Sequence, residues 1–586
     1  MKQFFKFLLA STLGTFLAIF IAGLFLVTLI TMAATSSSNV QVRNNSVLEI
    51  DLNRLIPEHS NNIQFDFSDF QTDKVMGVHE MAHTIVHAAD DDNIKGIYLK
   101  TNTVGGGLVK VDVLREAFET FKESGKFIYA HSKYYTQGAY LLAATADSVY
   151  LNPMGLVDFR GFGGVLSFYK NMLDRADVNM QIFYAGKFKG ATEPYRRTDL
   201  SPENRLQLEQ YVNDMYNEYV EDLSRSRGIA QDKLKQIAEN YDGGNTDRAL
   251  SVGLVDAIAY EDEVMDAMRV QLDIEKDKKI RFTSLDKYRS AIELSDDDAD
   301  DIVAVVYAEG TILDGEGGSG IIGDEPYVEV ANKLRRDDDV KAIVLRVNSP
   351  GGSAMASENI WRAFTLLNEA GKPVIISMSD FAASGGYYIA AAGDYIFAEE
   401  NTLTGSIGVF RLLPSLENTF EEHLGITIDT IQTTPFATGF NISKDLNPAQ
   451  RRYLQAETER TYDIFLQRVA DARNMSKEAV NEIAQGRVWT ADRAVQNGLV
   501  DKIGDLDAAI EYAANAAELD DYRTKNYPRL KTPTEQILED IFNTDQAKTR
   551  LLQAELGEFY EHYQAIKSLQ TQSGVQAMMP FRLTIE

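Results

Sequence analysis

The sequence predicts an α/β protein built from two tandem copies of one unit, each with a mostly parallel sheet. A passage at residues 91–106 recurs at residues 337–352 with a constant offset of 246 residues. Such self-similarity indicates a duplicated architecture. Within each copy, short apolar runs alternate with helix-like periods, which is typical of parallel α/β layers. We therefore expect the two halves of the chain to share one fold.

The copies differ at one chemically important position. After a one-residue insertion, residues 136–140 (TQGAY) align with residues 383–387 (ASGGY). Ser384 of the second copy therefore corresponds to Gln137 of the first. A glutamine has no hydroxyl group that could be acylated, so we expect only the second copy to supply a nucleophile.

The elements of the first copy begin with an alternating run at residues 47–52, which predicts a strand, and a helix-like period at residues 75–89. Both copies later continue into long amphipathic helices. Ser201 and Asn447 precede these helices as N-cap residues, and each is followed by proline at the first helical position. The acidic run at residues 295–301 lacks the glycine and spaced ligands of a calcium loop, so we interpret it as a linker.

Composition excludes several classes of function. The net charge of −29 argues against nucleic-acid binding, because phosphates would be repelled. The chain has no cysteine, which excludes disulfides, thiolate metal sites and a cysteine nucleophile. Its 586 residues are too many for one ordinary core, so several domains are expected.

The N-terminus carries a candidate membrane anchor. Residues 7–32 hold no charge and are numerous enough to span a bilayer core. Lys2 and Lys6 precede this segment, whereas no basic residue follows before Arg43. The positive-inside rule then places the N-terminus in the cytoplasm and the bulk of the chain outside. The alternative is a long, cleaved signal peptide that ends near Ala33-Ala34.

These features predict four segments. They are a cytoplasmic N-terminus with a transmembrane anchor (1–34), the first repeat (35–294), the second repeat (295–522) and a C-terminal segment with a helix-like part and a tail (523–586).

Ser384 is the strongest candidate nucleophile. An apolar run at residues 373–376 predicts a buried strand before it, and a helix of small residues is expected to begin near Gly385. A serine at such a corner exposes its hydroxyl beside the free N–H groups of the helix, as acyl transfer requires. A plain turn remains the alternative.

A glycine turn could complete this site. The segment at residues 348–352 (NSPGG) follows an apolar strand at 342–347. Paired glycines let the backbone N–H of Gly352 approach a ligand, and with the N–H of Gly385 it could form an oxyanion hole. The first copy keeps Gly105-Gly106 without a serine, so a purely structural turn remains possible.

The base for this serine is less obvious. His423 is the only histidine of the second copy and lies in a polar stretch, which disfavours a Ser-His-Asp triad. A buried lysine with a lowered pKa is the other common base. Lys189 is a candidate because small residues follow it and an apolar strand precedes it. Composition does not choose between Lys187 and Lys189, and a surface lysine remains the alternative for either.

A zinc motif is also present. His79-Glu80-Met-Ala-His83 fits the H-E-x-x-H pattern on a probable helix, and His87 follows one turn later. The spacing to His87 does not fit the extended metzincin pattern. The corresponding stretch of the second copy, residues 328–334, has the pattern of an ordinary amphipathic helix. We therefore favour a solvent-facing histidine stripe over a metal site.

Four motifs, in order, resemble those of the signal peptide peptidase A family in its long, tandem-repeat, membrane-anchored bacterial form. They are the lysine segment (187–194), the NSPGG turn (348–352), the AASGGY corner (382–387) and LTGSIGV (403–409). The similarity extends from the anchor to about Asp521. It implies two Clp/crotonase-like domains and a serine–lysine dyad divided between them.

The resemblance also implies residue roles. Ser384 matches the nucleophile, and Lys189 matches the base because it stands four residues before Glu193-Pro194. Ser406 resembles a serine that hydrogen-bonds the lysine. The family further implies a homotetrameric bowl with inward-facing sites, and it leaves open whether the dyad forms within one chain or between neighbours. We expect no cofactor and no metal.

The implied function is a serine endopeptidase, anchored in the bacterial inner membrane with its catalytic part outside, that degrades cleaved signal peptides. Three alternatives remain: a crotonase-type acyl-CoA enzyme, a zinc metallopeptidase acting through His79, Glu80 and His83, and a non-catalytic scaffold.

Overall fold

The structure is a computed structural model. It describes residues 42–60, 63–66, 71–292, 294, 299–318, 320–529 and 574–579, together with residues 4, 6–7, 11–18 and 21.

Strands and helices are interspersed along both repeats of this part of the chain. The strands are β1 Ser46–Ile50, β2 Ile63–Asp66, β3 Gln71–Lys74, β4 Ile94–Leu99, β5 Phe127–Ser132, β6 Ser148–Leu151, β7 Asn179–Ala185, β8 Ala257–Ile258, β9 Arg281–Ser284, β10 Ile302–Glu309, β11 Thr311–Leu313, β12 Ile321–Gly323, β13 Val340–Ser349, β14 Gly351–Ser353, β15 Val374–Ala383, β16 Tyr395–Ala398, β17 Leu403–Gly405, β18 Val409–Ser415, β19 Val488–Thr490, β20 Lys502–Ile503, β21 Arg523–Tyr527 and β22 Gln576–Met578.

The α-helices are α1 Val78–Asp90, α2 Leu108–Glu123, α3 Gln137–Ala143, α4 Lys170–Arg175, α5 Glu193–Arg196, α6 Pro202–Arg227, α7 Gln231–Glu239, α8 Thr246–Ser251, α9 Glu261–Gln271, α10 Leu285–Arg289, α11 Asp324–Arg336, α12 Ala354–Glu369, α13 Gly385–Ala390, α14 Pro448–Arg473, α15 Lys477–Ile483, α16 Ala491–Gln496 and α17 Leu506–Ala516. Short 3-10 helices lie at Gly190–Thr192 and Asp242–Gly244, and a π-helical turn lies at Thr419–His423.

The duplication predicted from the sequence is confirmed by the elements. Helices α1, α2 and α6 of the first repeat recur in the second as α11, α12 and α14, each at an offset of 246 residues. The first sheet has the order β8-β6-β5-β4-β1-β9 and is parallel throughout. The second runs β19-β17-β15-β13-β10-β21 and is parallel except for the β17–β19 pair. The chain is therefore an α/β protein with mostly parallel sheets.

The central strands are apolar on both faces, as expected for parallel strands covered by helices on either side. In β13, Ile343 and Leu345 pack into one hydrophobic cluster, whereas Ala342 and Val344 pack into another on the opposite face. This separation follows the two-residue period of a strand. Burying each of the larger side chains contributes about 1.5–3 kcal/mol. These clusters hold the carboxyl end of β13 rigid, where the glycine turn begins.

A third sheet joins the two repeats, with the order β12-β11-β14-β22-β18-β7. Strand β7 of the first repeat pairs antiparallel with β18 of the second, and Ala185 lies opposite Val409. The end of β7 therefore meets the start of β18. This register brings the lysine segment that follows β7 to the turn that precedes β18.

Several predictions made from the sequence are not tested by the described residues. No helix in the described ranges is both long enough and apolar enough to cross a membrane. Most of the predicted anchor (7–32), most of the acidic linker and the helix-like stretch at 534–571 lie outside those ranges. The transmembrane anchor, the four segment boundaries and the relation to Clp and crotonase folds stay predictions.

Candidate active site

Ser384 lies at the predicted corner. Strand β15 ends at Ala383 and helix α13 begins at Gly385. Between them Ser384 adopts φ 58° and ψ −114°, a conformation that non-glycine residues rarely take. Its N–H donates to the carbonyl oxygen of Gly405 at 2.7 Å. The corner therefore holds a strained backbone that fixes the direction of the serine side chain.

Lys189 reaches this serine from the first repeat. Its Nζ lies 2.8 Å from Ser384 Oγ, and 3.0 Å from both the carbonyl oxygen and Oγ of Ser406. The structure thus brings together, within one chain, the three side chains that the resemblance singled out. The alternative lysine, Lys187, is exposed and lies against the ring of Phe188.

Burial controls the protonation of this lysine. Lys189 is 1% exposed, and burial lowers its pKa well below the usual lysine value. Burial disfavours the charged form because it removes the water that would solvate an ammonium group. Its three polar neighbours in the site are uncharged oxygens of Ser384 and Ser406. The arrangement favours a neutral amine, which can accept a proton.

A polar network anchors the segment that carries Lys189. The buried carboxylate of Glu193 accepts hydrogen bonds from the N–H of Ser201 at 3.0 Å and from Nδ2 of Asn204 at 3.1 Å. Gln207 Nε2 donates to the carbonyl oxygen of Phe188 at 3.0 Å. The start of helix α6 therefore holds the lysine segment. Glu193 and Ser201 were recognised in the sequence as separate features, and their contact was not predicted. The roles of Asn204 and Gln207 in this network were not predicted either.

Close packing against the second repeat fixes the other side of the segment. A Cβ built on Gly486 would lie 2.7 Å from Cβ of Lys189, so a side chain there would collide with the lysine. Gly486 has φ 80°, which also favours glycine. Sequence reasoning missed this residue because its role depends on a contact across nearly 300 positions of the chain.

The glycine turn lies beside Ser384. A Cβ on Gly385 would lie 3.0 Å from the amide nitrogen of Gly352, and one on Gly351 would lie 2.6 Å from the amide nitrogen of Gly385. The N–H groups of Gly352 and Gly385 are therefore neighbours, as the sequence predicted. A Cβ on Gly352 itself would lie 1.9 Å from the carbonyl oxygen of Ile312, which excludes any larger residue.

A buried polar cluster connects the two repeats behind this site. Glu58 of the first repeat accepts from Arg346 Nε at 3.0 Å and from Ser379 Oγ at 2.5 Å. Burial would raise the pKa of Glu58, but the charges of Arg346 and Lys110 outweigh it and lower that pKa to about 2. Asp380 accepts from the N–H of Val109 at 3.1 Å. Both Ser379 and Asp380 belong to β15, so the cluster holds the strand that leads to Ser384.

The histidines of the H-E-x-x-H pattern do not form the expected solvent-facing stripe, because His79 is buried whereas His83 is half exposed. His79 is buried, and burial lowers its pKa to about 3. Glu80 Oε1 lies 2.7 Å from Arg289 Nε, and His83 Nε2 lies 2.7 Å from Asp507 Oδ2. Among the described residues, no group of three or more His, Asp or Glu side chains is placed to hold a metal ion.

Comparisons with known proteins agree with this arrangement. The model of peptidase family S49 matches residues 120–275 and 367–520, one stretch in each repeat. Protease 4 of Haemophilus influenzae is 38% identical over 444 residues, which cover 74% of this chain and 72% of that protein. Protease 4 of Salmonella typhi is 35% identical over 80% of this chain and 76% of its own length. A chloroplastic protein of Arabidopsis thaliana named serine protease SPPA is 32% identical over 75% of this chain and 66% of its own length.

These relatives confirm the resemblance to signal peptide peptidase A. The match of two family segments to the two repeats agrees with the tandem sheets of the structure. The chain therefore belongs to peptidase family S49 and is a serine peptidase.

Proposed function

We propose that this peptidase is a membrane-anchored endopeptidase that degrades signal peptides after their release from secreted precursors, with Ser384 as nucleophile and Lys189 as general base. The observation that carries this proposal is the 2.8 Å contact between Lys189 Nζ and Ser384 Oγ in a buried site. Hydrogen-bond distance and a lowered lysine pKa are the two properties that a serine–lysine dyad needs.

The contacts of Lys189 suit a neutral amine. Such an amine has two N–H groups and one lone pair. The two oxygens of Ser406, both at 3.0 Å, can accept the two N–H groups. The lone pair is then left to accept the O–H of Ser384. Ser406 is thus a positioning residue that aims the lone pair at the nucleophile.

The reaction follows from this arrangement. Lys189 takes the proton of Ser384 as Oγ attacks the peptide carbonyl, and the N–H groups of Gly352 and Gly385 stabilise the oxyanion. Lys189 then gives that proton to the leaving amine. A water molecule, deprotonated by the same lysine, hydrolyses the acyl-enzyme ester and restores Ser384.

The proposed substrate class rests on the resemblance to signal peptide peptidase A. Signal peptides carry apolar stretches, and an extended apolar peptide suits a deep site between two repeats. The predicted anchor would hold the enzyme at the membrane where such peptides remain. A homotetramer with inward-facing sites, which the family implies, would exclude folded proteins.

The test uses a fluorogenic apolar peptide with the wild-type chain, Ser384→Ala and His79→Ala, each with and without a chelator. We expect Ser384→Ala to be inactive and His79→Ala to be active and insensitive to the chelator. Activity in Ser384→Ala would overturn the dyad, and loss of activity in His79→Ala with chelator sensitivity would favour the zinc alternative. Hydrolysis of an acyl-CoA in place of the peptide would favour the crotonase alternative.

A further inference from the structure

The two repeats cap the same helix in different ways. In the second repeat, α12 begins after Ser353, whose Oγ accepts the N–H of Ala356 at 3.3 Å. Such an acceptor satisfies one of the N–H groups that the first turn of a helix leaves unpaired. The equivalent position before α2, at the offset of 246 residues, is Gly107, which has no side chain to accept a hydrogen bond. Helix α2 therefore cannot be capped by its own N-cap residue.

Asp380 of the second repeat supplies the missing cap. Its Oδ1 accepts the N–H of Val109, the second residue of α2, at 3.1 Å. A carboxylate in this place also faces the positive end of the helix dipole. A Cβ built on Gly107 would collide with the carboxylate of Asp380, so the glycine leaves the space that this carboxylate fills. The cap of a first-repeat helix thus comes from the second repeat.

The carboxylate of Asp380 is buried and has further polar neighbours. Asp380 is 6% exposed, and its Oδ2 lies 3.5 Å from Nδ2 of Asn348 at the end of β13. Burial raises the pKa of Asp380 to about 6, and the positive charges of Lys110 and Arg346 limit this rise. At pH 7 the carboxylate is therefore ionised, and its hydrogen bond to Val109 is charge-assisted.

This cap lies between the two parts of the proposed dyad. Asp380 belongs to β15 and stands four residues before Ser384. Its charge also reaches the buried Tyr211 of α6, whose pKa is raised first by burial and then by this charge. One turn before Tyr211, Gln207 donates to the backbone of the segment that carries Lys189 at 3.0 Å. Asp380 is therefore close both to the nucleophile and to the helix that holds the base.

We propose that Asp380 is a positioning residue that aligns Ser384 with Lys189 by capping α2 across the boundary between the repeats. This proposal rests on the proposed function of the dyad. The 2.8 Å contact between Ser384 Oγ and Lys189 Nζ depends on how the repeats dock, because each repeat supplies one of the two residues. A misplacement of about 1 Å at a reacting group can cost on the order of 10²-fold in rate. Asp380 limits such a shift because it ties β15 to the first repeat next to the corner.

The experiment measures kcat and KM on the fluorogenic peptide, and the free energy of unfolding, for variants of the full-length chain. Asp380→Ala leaves α2 without its cap and should lower kcat about 10- to 10²-fold with KM unchanged. Asp380→Asn keeps a side-chain oxygen that can accept the N–H of Val109, so it should retain most of the wild-type kcat. Asp505→Ala is the matched control, because Asp505 Oδ1 caps α17 within the second repeat by accepting the N–H of Ala508 at 2.8 Å. This control should lose stability and keep the wild-type kcat.

A double variant separates positioning from stability. Asp380→Ala opens the space beside Gly107, so adding Gly107→Ser gives α2 a cap of the kind that Ser353 gives α12. The backbone of Gly107, with φ −82° and ψ 175°, is extended, as an N-cap serine requires. The double variant should regain unfolding free energy relative to Asp380→Ala. Its kcat should stay low, because the new cap does not cross the boundary between the repeats.

Two results would overturn the positioning role of Asp380. One is a wild-type kcat in Asp380→Ala, and the other is a kcat that recovers together with stability in the double variant. Both would leave the proposed function intact, whereas peptide hydrolysis by Ser384→Ala would overturn the proposed function itself. If Asp380→Ala does not fold, the double variant is compared with Asp380→Asn. A lower kcat in the double variant supports the positioning role, and equal kcat values in the two contradict it.

Discussion

The equivalent corners of the two repeats have different backbone conformations. In the second repeat, Ser384 is held at φ 58° between β15 and α13. In the first, Thr136 precedes α3 in a relaxed, extended conformation with φ −69°. The side chain of Gln137 is buried, and its Oε1 accepts the N–H groups of Arg160 at 3.3 Å and Gly161 at 3.0 Å. The fold itself therefore does not need the strained corner, and the strain belongs to the site of the second repeat.

The segments before the two long helices also differ, but here the candidate catalytic residue lies in the first repeat. In the first repeat, Lys189 lies twelve residues before the cap Ser201 and is buried against the second repeat. The position twelve residues before the equivalent cap, Asn447, is Pro435, which is exposed. Each repeat thus supplies one member of the proposed dyad, and the equivalent position of the other repeat holds a different residue. The duplication yields one site instead of two because the third sheet brings the two remaining parts together.

The largest expected effect comes from exchanging the residues at the two corners. Ser384→Ala should lower kcat on the order of 10⁴-fold or more, because the nucleophile is lost. Adding Gln137→Ser should not restore activity, since the relaxed corner of the first repeat has no strained backbone and no lysine beside it. Peptide hydrolysis by the single and double variants measures both effects.

Gln137→Ser alone is the control for this exchange. It removes the acceptor for the N–H of Gly161, which costs about 1–3 kcal/mol of stability. Its peptide hydrolysis should match that of the wild type. Recovery of activity in the double variant would show that the first corner can also serve as a catalytic site. That result would contradict the difference between the two corners.

The two neighbouring lysines give the next test. Lys189→Met should lower kcat by about 10²- to 10⁴-fold, the usual contribution of a general base. Lys187→Met is the matched control, because Lys187 is exposed and only two positions away. We expect it to keep the wild-type rate. Equal losses in the two variants would show that the segment matters for folding and that Lys189 has no particular role as base.

The same base predicts a pH dependence. Burial lowers the pKa of Lys189, so the lysine loses its proton at a lower pH than an exposed lysine does. The active form is the neutral amine, so kcat/KM should be constant above the lowered pKa and fall about tenfold per pH unit below it. A pH profile of peptide hydrolysis checks this. A profile that rises only near pH 10 would show that the pKa of the base is not lowered.

Local sequence features predicted one half of this site better than the other. The strand, corner and helix around Ser384 were predictable because they lie within one stretch of chain. The caps at Ser201 and Asn447 were also confirmed, since both side chains accept hydrogen bonds from the first turn of their helices. For Lys189, the residues alone did not exclude Lys187. The choice depends on the pairing of β7 with β18, which local periodicity does not contain.

The polar cluster between the repeats was not predicted for the same reason. Glu58 and Arg346 are ordinary charged residues in the sequence, and only the docking of the repeats buries them together. Arg346→Met should cost about 3–5 kcal/mol of unfolding free energy, because it removes the buried guanidinium that pairs with buried Glu58 and with partly buried Glu399. Denaturant unfolding of the variant measures this cost.

An exposed arginine provides the control for that variant. Arg362 pairs with Glu369 on the surface of the same repeat, and both side chains are half exposed. Arg362→Met should therefore cost no more than about 1 kcal/mol. Equal costs for the two arginines would show that the cluster does not hold the repeats together.

The smallest expected effect concerns Ser406, which positions the lysine without reacting. Ser406→Gly removes the hydroxyl and relaxes the positive φ of 51°, whereas Ser406→Ala removes only the hydroxyl. Both keep the backbone carbonyl that accepts from Lys189, so each should lower kcat by about 10- to 10²-fold, as misplacement of a reacting group does. KM should not change. Ser415→Ala, at another buried serine that lies at the far end of β18, is the control and should keep the wild-type kcat. A loss in Ser406→Ala that Ser406→Gly does not share would attribute the effect to backbone strain and not to the lost hydroxyl.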